Sequence, residues 1–374
     1  MPENIALVLA GGGARAAYQV GVIAAIAEAV PGARFPIVTG VSAGAINAAF
    51  LGAHHGTLGD AAAELKAKWD ALTADRVYRV RPTLIATLAT RRLSLSLLGK
   101  SVTSSSQLRG FLDLDPLREF LSKQIVWGAI EANVAAGRLR ALALTATPYT
   151  SAATRTFVQG VPEIPMWQRA ERVAVRARLA VDHVMASSAI PLLFPAVLID
   201  GEFYGDGSVR QTAPLAPAIH LGASRILVIG MQAPQGEVAS ERPQRRYPTM
   251  AEGIGLLFSA IFHDAMEADA ERLDRINRLL AAIPPGAPVP ENLRPVRFLH
   301  LRPSRYLSSV VPTSHAKLPG IMRWIVRAMG AESGHANVLL SYLLFNPAYT
   351  RLLAELGYED ARKNLDLVAE FLAG

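Results

Sequence analysis

The chain has 374 residues, a formal net charge of +7 and no cysteine. This length allows one large α/β domain or a domain with an appendage, and the lack of cysteine excludes disulfides and favours cytoplasmic residence. Hydrophobic residues make up 51% of the chain, yet no run of about 18 apolar residues predicts a membrane span, and the N-terminus does not resemble a secretory signal. The positive charge suits an anionic phospholipid surface rather than nucleic acid, for which no binding motif is found.

Strands and helices alternate near the start of the chain. A short apolar strand ended by three glycines precedes a helix that a Pro-Gly pair closes, and a second strand precedes a glycine-flanked turn and a second helix. In order, these elements are predicted over residues 5–10, 14–30, 35–39 and 43–54. Such alternation is typical of βαβ units and predicts an α/β fold with a mainly parallel sheet.

Later segments extend this pattern and then become helical. Further strands are predicted over residues 139–147, 225–229 and 296–301, with a hairpin joining 197–199 to 202–204. A loop is predicted over 231–248, followed by helices over 249–280 and most of 315–374. We therefore expect an α/β domain over residues 1–245 and a mainly helical region over 246–374 that packs on it and is a candidate surface for a homodimer.

A basic region lies over residues 76–125. It has no acidic residue between Asp75 and Asp113, and leucines interrupt the basic residues that precede Asp113, which are Arg76, Arg79, Arg81, Arg91, Arg92, Lys100 and Arg109. This pattern is typical of a lid or a membrane-facing insertion, with 82–110 as the candidate for the moving part. A pair of ordinary surface helices explains it equally well.

A G-x-S-x-G sequence, Gly40-Val41-Ser42-Ala43-Gly44, joins the second predicted strand to the second predicted helix. A nucleophile elbow needs this context, because the chain turns sharply there and the flanking Gly40 and Gly44 leave room for neighbouring backbone. The turn exposes the serine hydroxyl, and the positive end of the following helix favours negative charge developing beside it. The motif predicts that Ser42 is a nucleophile.

A glycine-rich run, Gly11-Gly12-Gly13-Ala14-Arg15, follows the first predicted strand. Glycines here leave backbone N–H groups available for an oxyanion or a phosphate. The run resembles a dinucleotide-binding fingerprint, but that fold needs an acidic residue after the second strand, where this chain has Ser42. An oxyanion hole is therefore favoured and no cofactor is predicted. Arg15 is expected to hold the loop or to attract a phosphate head group.

Asp206, at the exit of the predicted hairpin and before Gly207, is the candidate general base. A serine must lose its proton to attack an ester, and an apolar setting raises the pKa of a carboxyl group towards a useful value. An isolated Asp-Gly is more often a turn, so this assignment depends on Ser42. Asp200 is a weaker rival that we assign to the hairpin turn.

Together these motifs resemble the patatin-like phospholipase family. The glycine-rich run, the elbow, the loop 186–195 and Asp206-Gly207 occur in that family's order, and the resemblance covers roughly residues 5–230. It implies a Ser42–Asp206 dyad in a three-layer α/β/α sandwich that cleaves acyl esters of lipids without metal or cofactor. Phospholipase A or lysophospholipase activity is the expectation, in a cytoplasmic protein that binds peripherally to anionic membranes.

Three alternatives stay open. A Ser–Asp–His triad has the same chain order, although only one strand–helix unit precedes the elbow, which favours the dyad. The histidines available to a triad are His220, His263, His300, His315 and His335. A non-catalytic, membrane-associated lipid-binding protein and an esterase or thioesterase for other acyl substrates are the remaining two. No carboxylate-rich cluster accompanies His54-His55, so no metal site is predicted.

Overall fold

The computed structural model describes residues 4–80, 110, 112–151, 153–233, 250–284, 286–289, 293–311 and 336–374. The strands within these ranges are β1 (Ile5–Leu9), β2 (Ile37–Val41), β3 (Arg79–Val80), β4 (Leu112–Asp113), β5 (Ala141–Pro148), β6 (Thr154–Gly160), β7 (Gln168–Arg169), β8 (Arg172–Arg176), β9 (Val197–Ile199), β10 (Glu202–Asp206), β11 (Arg225–Ile229) and β12 (Arg297–Leu301). The α-helices are α1 (Ala17–Ala29), α2 (Ala43–Ala53), α3 (Leu58–Asp70), α4 (Ala74–Val77), α5 (Asp115–Gln124), α6 (Gly128–Ala135), α7 (Val181–Ser187), α8 (Ala216–His220), α9 (Met250–Ala281), α10 (Ala336–Leu343), α11 (Pro347–Arg362) and α12 (Leu365–Ala373).

One mixed sheet forms the middle of the fold. Its strand order is β12-β11-β1-β2-β5-β6-β8-β7, and β10 pairs with both β5 and β9. The block from β12 to β5 is entirely parallel. Antiparallel pairs join β5 to β6, β5 to β10, β9 to β10 and β7 to β8. The parallel block therefore contains the predicted strand–helix units, and the sheet beyond β5 is mixed, since β6 and β8 pair in parallel.

Both faces of the parallel block are covered by helices. Side chains alternate along β1, so that Leu7 and Leu9 belong to one buried cluster while Ala6 and Val8 belong to another. The first cluster includes residues of α1, α2 and α3, and the second includes residues of α8 and α9. A strand that is apolar in every position is expected where both faces are buried. The predicted three-layer α/β/α sandwich is confirmed.

Most predicted elements are found with small shifts at their ends. The first helix begins at Ala17 because Gly13–Ala16 form a 3₁₀ turn before it. β6 and β8 were not predicted. Their sequences mix arginine and glutamine with apolar residues, and only part of each strand is buried, so the continuous apolar pattern that identified β1 and β11 is missing.

Three longer stretches lie outside the described residues: 81–109, 234–249 and 312–335. The candidate lid over 82–110, the loop over 231–248 and the first part of the helical region from 315 fall largely within them. Of the basic region, Arg76 lies on α4 and Arg79 on β3. Among the helices that the structure describes, none has the length and apolar character needed to cross a bilayer.

Helix α11 packs directly against α1. A Cβ atom added at Gly21 would lie 1.8 Å from the carbonyl oxygen of Ala354, and one added at Gly357 would lie 2.1 Å from that of Tyr18. The Tyr18 hydroxyl also donates a hydrogen bond to Asp360 at 3.3 Å. One glycine on each helix therefore allows the two backbones to touch, and this part of the C-terminal region covers α1.

We predict that Gly21→Ala lowers the free energy of unfolding by about 1–2 kcal/mol, since overpacking against backbone costs up to about 3 kcal/mol and the gain in helix propensity offsets only about 1 kcal/mol of it. Urea denaturation measures the change. Gly253→Ala on α9 is the matched control, because nothing lies within 4 Å of its new methyl group, and it should be neutral or stabilising. Equal stability of Gly21→Ala and wild type would contradict the close helix contact.

Candidate active site

Ser42 and Asp206 are adjacent because the C-terminal ends of β2 and β10 meet along one edge of β5. β2 is parallel to β5 and β10 is antiparallel to it. The last residue of β2, Val41, is paired with Thr145, and the last residue of β10, Asp206, is paired with Ala146. These partners are successive residues of β5, about 3.3 Å apart along the strand. Ser42 follows Val41 directly, and its Oγ donates a hydrogen bond to Asp206 Oδ2 at 2.6 Å. The two predicted catalytic residues are therefore adjacent.

Ser42 lies on a sharp turn between β2 and α2. Its φ of 54° and ψ of −131° are a conformation that residues with side chains rarely adopt. A Cβ atom at Gly40 would lie 2.5 Å from the Gly44 carbonyl oxygen, and one at Gly44 would lie 2.3 Å from the Leu9 carbonyl oxygen. Only glycine fits at both flanking positions, as the elbow motif predicts.

Ser187, for which no role was predicted, fixes the turn from the other side. Its buried hydroxyl accepts a hydrogen bond from the Ser42 backbone N–H at 2.9 Å and donates one to the Thr145 carbonyl oxygen at 2.6 Å. Ser187 belongs to the loop 186–195 that supported the family resemblance. Because this contact joins residues 145 positions apart, the only signal in the sequence is a small polar residue within an apolar segment.

Asp206 is fully buried, and its carboxylate, its backbone N–H and its carbonyl oxygen all make hydrogen bonds. Besides accepting from Ser42, its carboxylate accepts from the Ser208 backbone N–H at 2.8 Å. Its own N–H donates to the Ala189 carbonyl oxygen at 2.8 Å, and its carbonyl oxygen accepts from Thr147 Oγ1 at 3.0 Å. These contacts fix both the backbone and the carboxylate plane.

Burial raises the pKa of Asp206 to about 6, although hydrogen bonds from Ser42 and Ser208 lower it in part. A carboxylate with this pKa takes up a proton more readily than an ordinary aspartate does. It is nevertheless mostly ionised at neutral pH, so it is available as a base. Burial therefore outweighs the hydrogen bonds and leaves Asp206 with a raised pKa, as expected for a carboxyl group in an apolar setting.

The glycine-rich run lies directly beside Ser42. A Cβ atom at Gly11 would lie 2.9 Å from Ser42 Cβ, and one at Gly13, whose φ is +55°, would lie 2.2 Å from the Tyr342 carbonyl oxygen. Within the described part of the chain, no acceptor pairs with the backbone N–H groups of residues 11–13. Free N–H groups next to a serine hydroxyl are the donors that an oxyanion hole requires.

Arg15, at the end of this run, contacts α10. Its Nε donates to Ser341 Oγ at 2.8 Å, one terminal nitrogen donates to the Tyr342 hydroxyl at 3.0 Å, and the guanidinium carbon lies 3.9 Å from the centroid of the Tyr342 ring. Both Arg15 and its neighbour Ala14 are buried. These contacts support the loop-holding role. The binding of a phosphate head group by Arg15 stays a prediction.

Two of the histidines that follow Asp206 in the chain, His220 and His300, have described side chains. Neither is hydrogen-bonded to Ser42 or Asp206. His220 stacks on Trp167 at 4.8 Å between ring centroids, and burial lowers its pKa to about 4. His300 lies on β12, which β11 and β1 separate from β2, and burial lowers its pKa to about 4 as well. His315, His335 and the side chain of His263 lie outside the described residues.

The fold and these motifs agree with comparison to known proteins. A family model described as patatin-like phospholipase matches residues 7–219, more than half of the chain. The chain belongs to this family, whose members are lipid acyl hydrolases.

One solved structure shows a distant similarity to this chain. The crystal structure of VipD from Legionella pneumophila is similar at 15% sequence identity and a TM-score of 0.35, covering 98% of this chain and 67% of that one. A likeness at this level carries no argument about substrate or mechanism. No curated protein matches the sequence.

Because the pKa of Asp206 is raised on folding, its ionisation destabilises the native state as pH rises from the unfolded to the folded pKa. Asp206→Asn removes this effect. We expect its free energy of unfolding, relative to wild type, to increase by about 2 kcal/mol from about pH 4.5 to about pH 7.5, measured by urea denaturation.

Asp200→Asn is the matched control for this measurement. Asp200 is an exposed hairpin residue with φ of 48°, a conformation that asparagine tolerates. The change in stability relative to wild type between these two pH values should be larger for Asp206→Asn than for Asp200→Asn. If the difference in free energy of unfolding between Asp206→Asn and wild type did not change with pH, the raised pKa of Asp206 would be contradicted.

Proposed function

We propose that the protein is a serine acyl-ester hydrolase of the phospholipase A or lysophospholipase type, with Ser42 as nucleophile and Asp206 as general base. The observation that carries this proposal is the 2.6 Å hydrogen bond from Ser42 Oγ to a buried carboxylate with a raised pKa. Both carboxylate oxygens are engaged, one by Ser42 and one by the Ser208 N–H. That arrangement supports a dyad rather than a triad in which a histidine would separate the serine from the acid.

In acylation, Asp206 Oδ2 accepts the Ser42 proton while Ser42 Oγ attacks the carbonyl carbon of a fatty-acyl ester. The tetrahedral intermediate collapses as the bond to the alcohol breaks, and the departing alcohol oxygen takes the proton from Asp206. The product is an acyl-Ser42 ester and a free alcohol, such as a lysophospholipid. The backbone at Ser42 is already held by Ser187, so little reorganisation is needed.

The N–H groups of the run Gly12–Ala14 stabilise the oxyanion of the tetrahedral intermediate. Removing one such donor costs about 3–4 kcal/mol in comparable sites. The loop packs closely against the Tyr342 backbone, where the carbonyl oxygen leaves no room for a Cβ atom at Gly13, and it is held by the hydrogen bond from Arg15 to Ser341 on α10. Both anchors fix the donors before substrate arrives, which is the condition for electrostatic stabilisation.

In deacylation, a water molecule gives its proton to Asp206 and attacks the acyl carbon. The bond to Ser42 Oγ breaks, Ser42 regains the proton, and the fatty acid leaves. A cavity of about 50 Å³, lined in part by Gly11, Thr145, Ser208 and Gln211, lies beside the glycine run. Its lining is mainly apolar, but Thr145, Ser208 and Gln211 supply polar groups, and its size gives room for a water molecule next to Val41 and Ser208, the neighbours of Ser42 and Gly207.

The proposed substrates lie in membranes, so the protein must work at a lipid surface. Its net charge of +7 favours an anionic surface, at roughly 1 kcal/mol per basic residue brought close to it. We propose peripheral binding of a cytoplasmic protein to such a surface.

Hydrolysis by the pure protein tests the proposal. Wild type should cleave a phospholipid and a medium-chain chromogenic ester, and Ser42→Ala and Asp206→Asn should each lower kcat/KM by at least about 10³-fold. Asp200→Asn, which removes a nearby exposed carboxylate, should keep wild-type activity. Full activity of Asp206→Asn, or no activity of wild type on either substrate, would overturn the dyad.

The pH dependence gives an independent test. Because the ionised form of Asp206 accepts the proton, kcat/KM should fall below a pKa of about 6 and by about tenfold per pH unit further down. The rate should recover when the enzyme is returned to neutral pH, which separates titration from unfolding. If kcat/KM instead fell with an apparent pKa near that of an ordinary aspartate, about 4, the assignment of Asp206 as general base would be contradicted.

A further inference from the structure

A second cavity, of about 380 Å³, lies at the opposite end of α2 from Ser42. Ser42 is the N-cap of α2, and the cavity is lined by Gly52, His54 and His55 at the other end of that helix. The 11 residues of α2 separate the two places by about 16 Å. The volume falls within the range of small-molecule sites, about 300–1,000 Å³.

The inner wall of this cavity is apolar. Its accessible apolar side chains are the half-buried Leu51, near the end of α2, and Leu58, at the start of α3. The cavity is also lined by the almost fully buried Leu7, Phe35, Val38 and Leu139. Removing an alkyl chain from water against such a wall is favourable, at about 25 cal/mol per Å² of buried apolar surface.

The mouth of the cavity is basic. Arg34, on the loop before β2, and Arg138, on the loop before β5, are both exposed there. Among the described lining residues the one carboxylate is Asp60, and its Oδ2 already accepts from the N–H of Thr57 at 3.0 Å and from its hydroxyl at 2.7 Å. An anion between the two arginines would therefore meet net positive charge.

A buried amide, Asn133, organises this mouth. It is 2% exposed. Its Nδ2 donates to the carbonyl oxygens of Gly52 and His54 at 2.8 and 2.9 Å, and its Oδ1 accepts from Arg138 Nε at 2.9 Å. Oδ1 also lies 3.0 Å from His55 Nδ1. Because an amide oxygen only accepts, His55 carries a proton on Nδ1 and keeps Nε2 for another partner.

We propose that this cavity binds a medium-chain fatty carboxylate, with its alkyl chain on the apolar wall and its head group between Arg34 and Arg138. The contact between Arg138 Nε and Asn133 helps to hold the end of α2, but the capping of α2 requires neither Arg34 nor a cavity, so the helix end alone does not account for the arrangement. In the described ranges, no group of three His, Asp or Glu side chains could hold a metal ion. The site is separate from Ser42 and does not depend on hydrolysis there.

Calorimetric titration of the full chain carrying Ser42→Ala with decanoate tests the proposal, because this background excludes turnover. Saturable binding at one site is expected. Adding Arg34→Gln and Arg138→Gln should weaken decanoate binding at least about tenfold, since two charge-assisted contacts are lost. Binding of decanol, which has the same chain without the charge, should be weaker and should not respond to these substitutions.

The matched control is Arg275→Gln with Arg278→Gln, which removes the same charge from the exposed side of α9. It should leave decanoate binding unchanged. Equal affinity of the Arg34→Gln/Arg138→Gln protein and its parent would place the ligand elsewhere and overturn the proposal, as would the absence of saturable binding. Hydrolysis by the protein with native Ser42, measured separately, reports on the active site alone.

Discussion

The hydrogen bond between Ser42 and Asp206 depends on β5, the strand that β2 and β10 share as a partner. The two residues are 164 positions apart, and no local turn brings them together. They meet because Val41 and Asp206 pair with successive residues of β5, from opposite directions. The chain turns away from β5 directly after Asp206. Glycine is required at position 207, because a Cβ atom on this residue would lie 2.2 Å from the Thr145 carbonyl oxygen.

Two costs are concentrated at this point of the fold. Ser42 holds an unfavourable backbone conformation, and Asp206 keeps a carboxylate fully out of water. Each cost is offset by hydrogen bonds from rigid neighbours: Ser187 on α7 for the serine, and the backbone N–H of Ser208 for the carboxylate. Strain and burial of this kind persist only where the surrounding structure fixes the conformation firmly, and they cluster at functional sites.

The local parts of this site could be predicted from sequence, and the long-range parts could not. Gly40, Ser42 and Gly44 were identifiable because the motif lies between a strand and a helix whose apolar patterns are clear. The direction of β10 and its pairing with β5 were not, because register between distant strands leaves no local signal. Ser187 was missed for the same reason.

Arg15 shows the same limit at the level of one side chain. Its place beside the glycine run was evident, yet the sequence allowed either a loop-holding or a ligand-binding role. The contacts with Ser341 and Tyr342, more than 320 residues away, favour the first role and come from a part of the chain beyond the matched family region, 7–219.

The packing of α10 and α11 also has a consequence for synthesis of the protein. Ser42 and Asp206 both leave the ribosome well before the helices on which Gly13, Arg15 and α1 rest. A nascent chain that already contains Ser42 and Asp206 therefore lacks the surface against which Gly13 and Arg15 pack. Under the proposed function, we expect activity only after residues 336–362 have been synthesised, because Arg15 and α1 pack against that part of the chain.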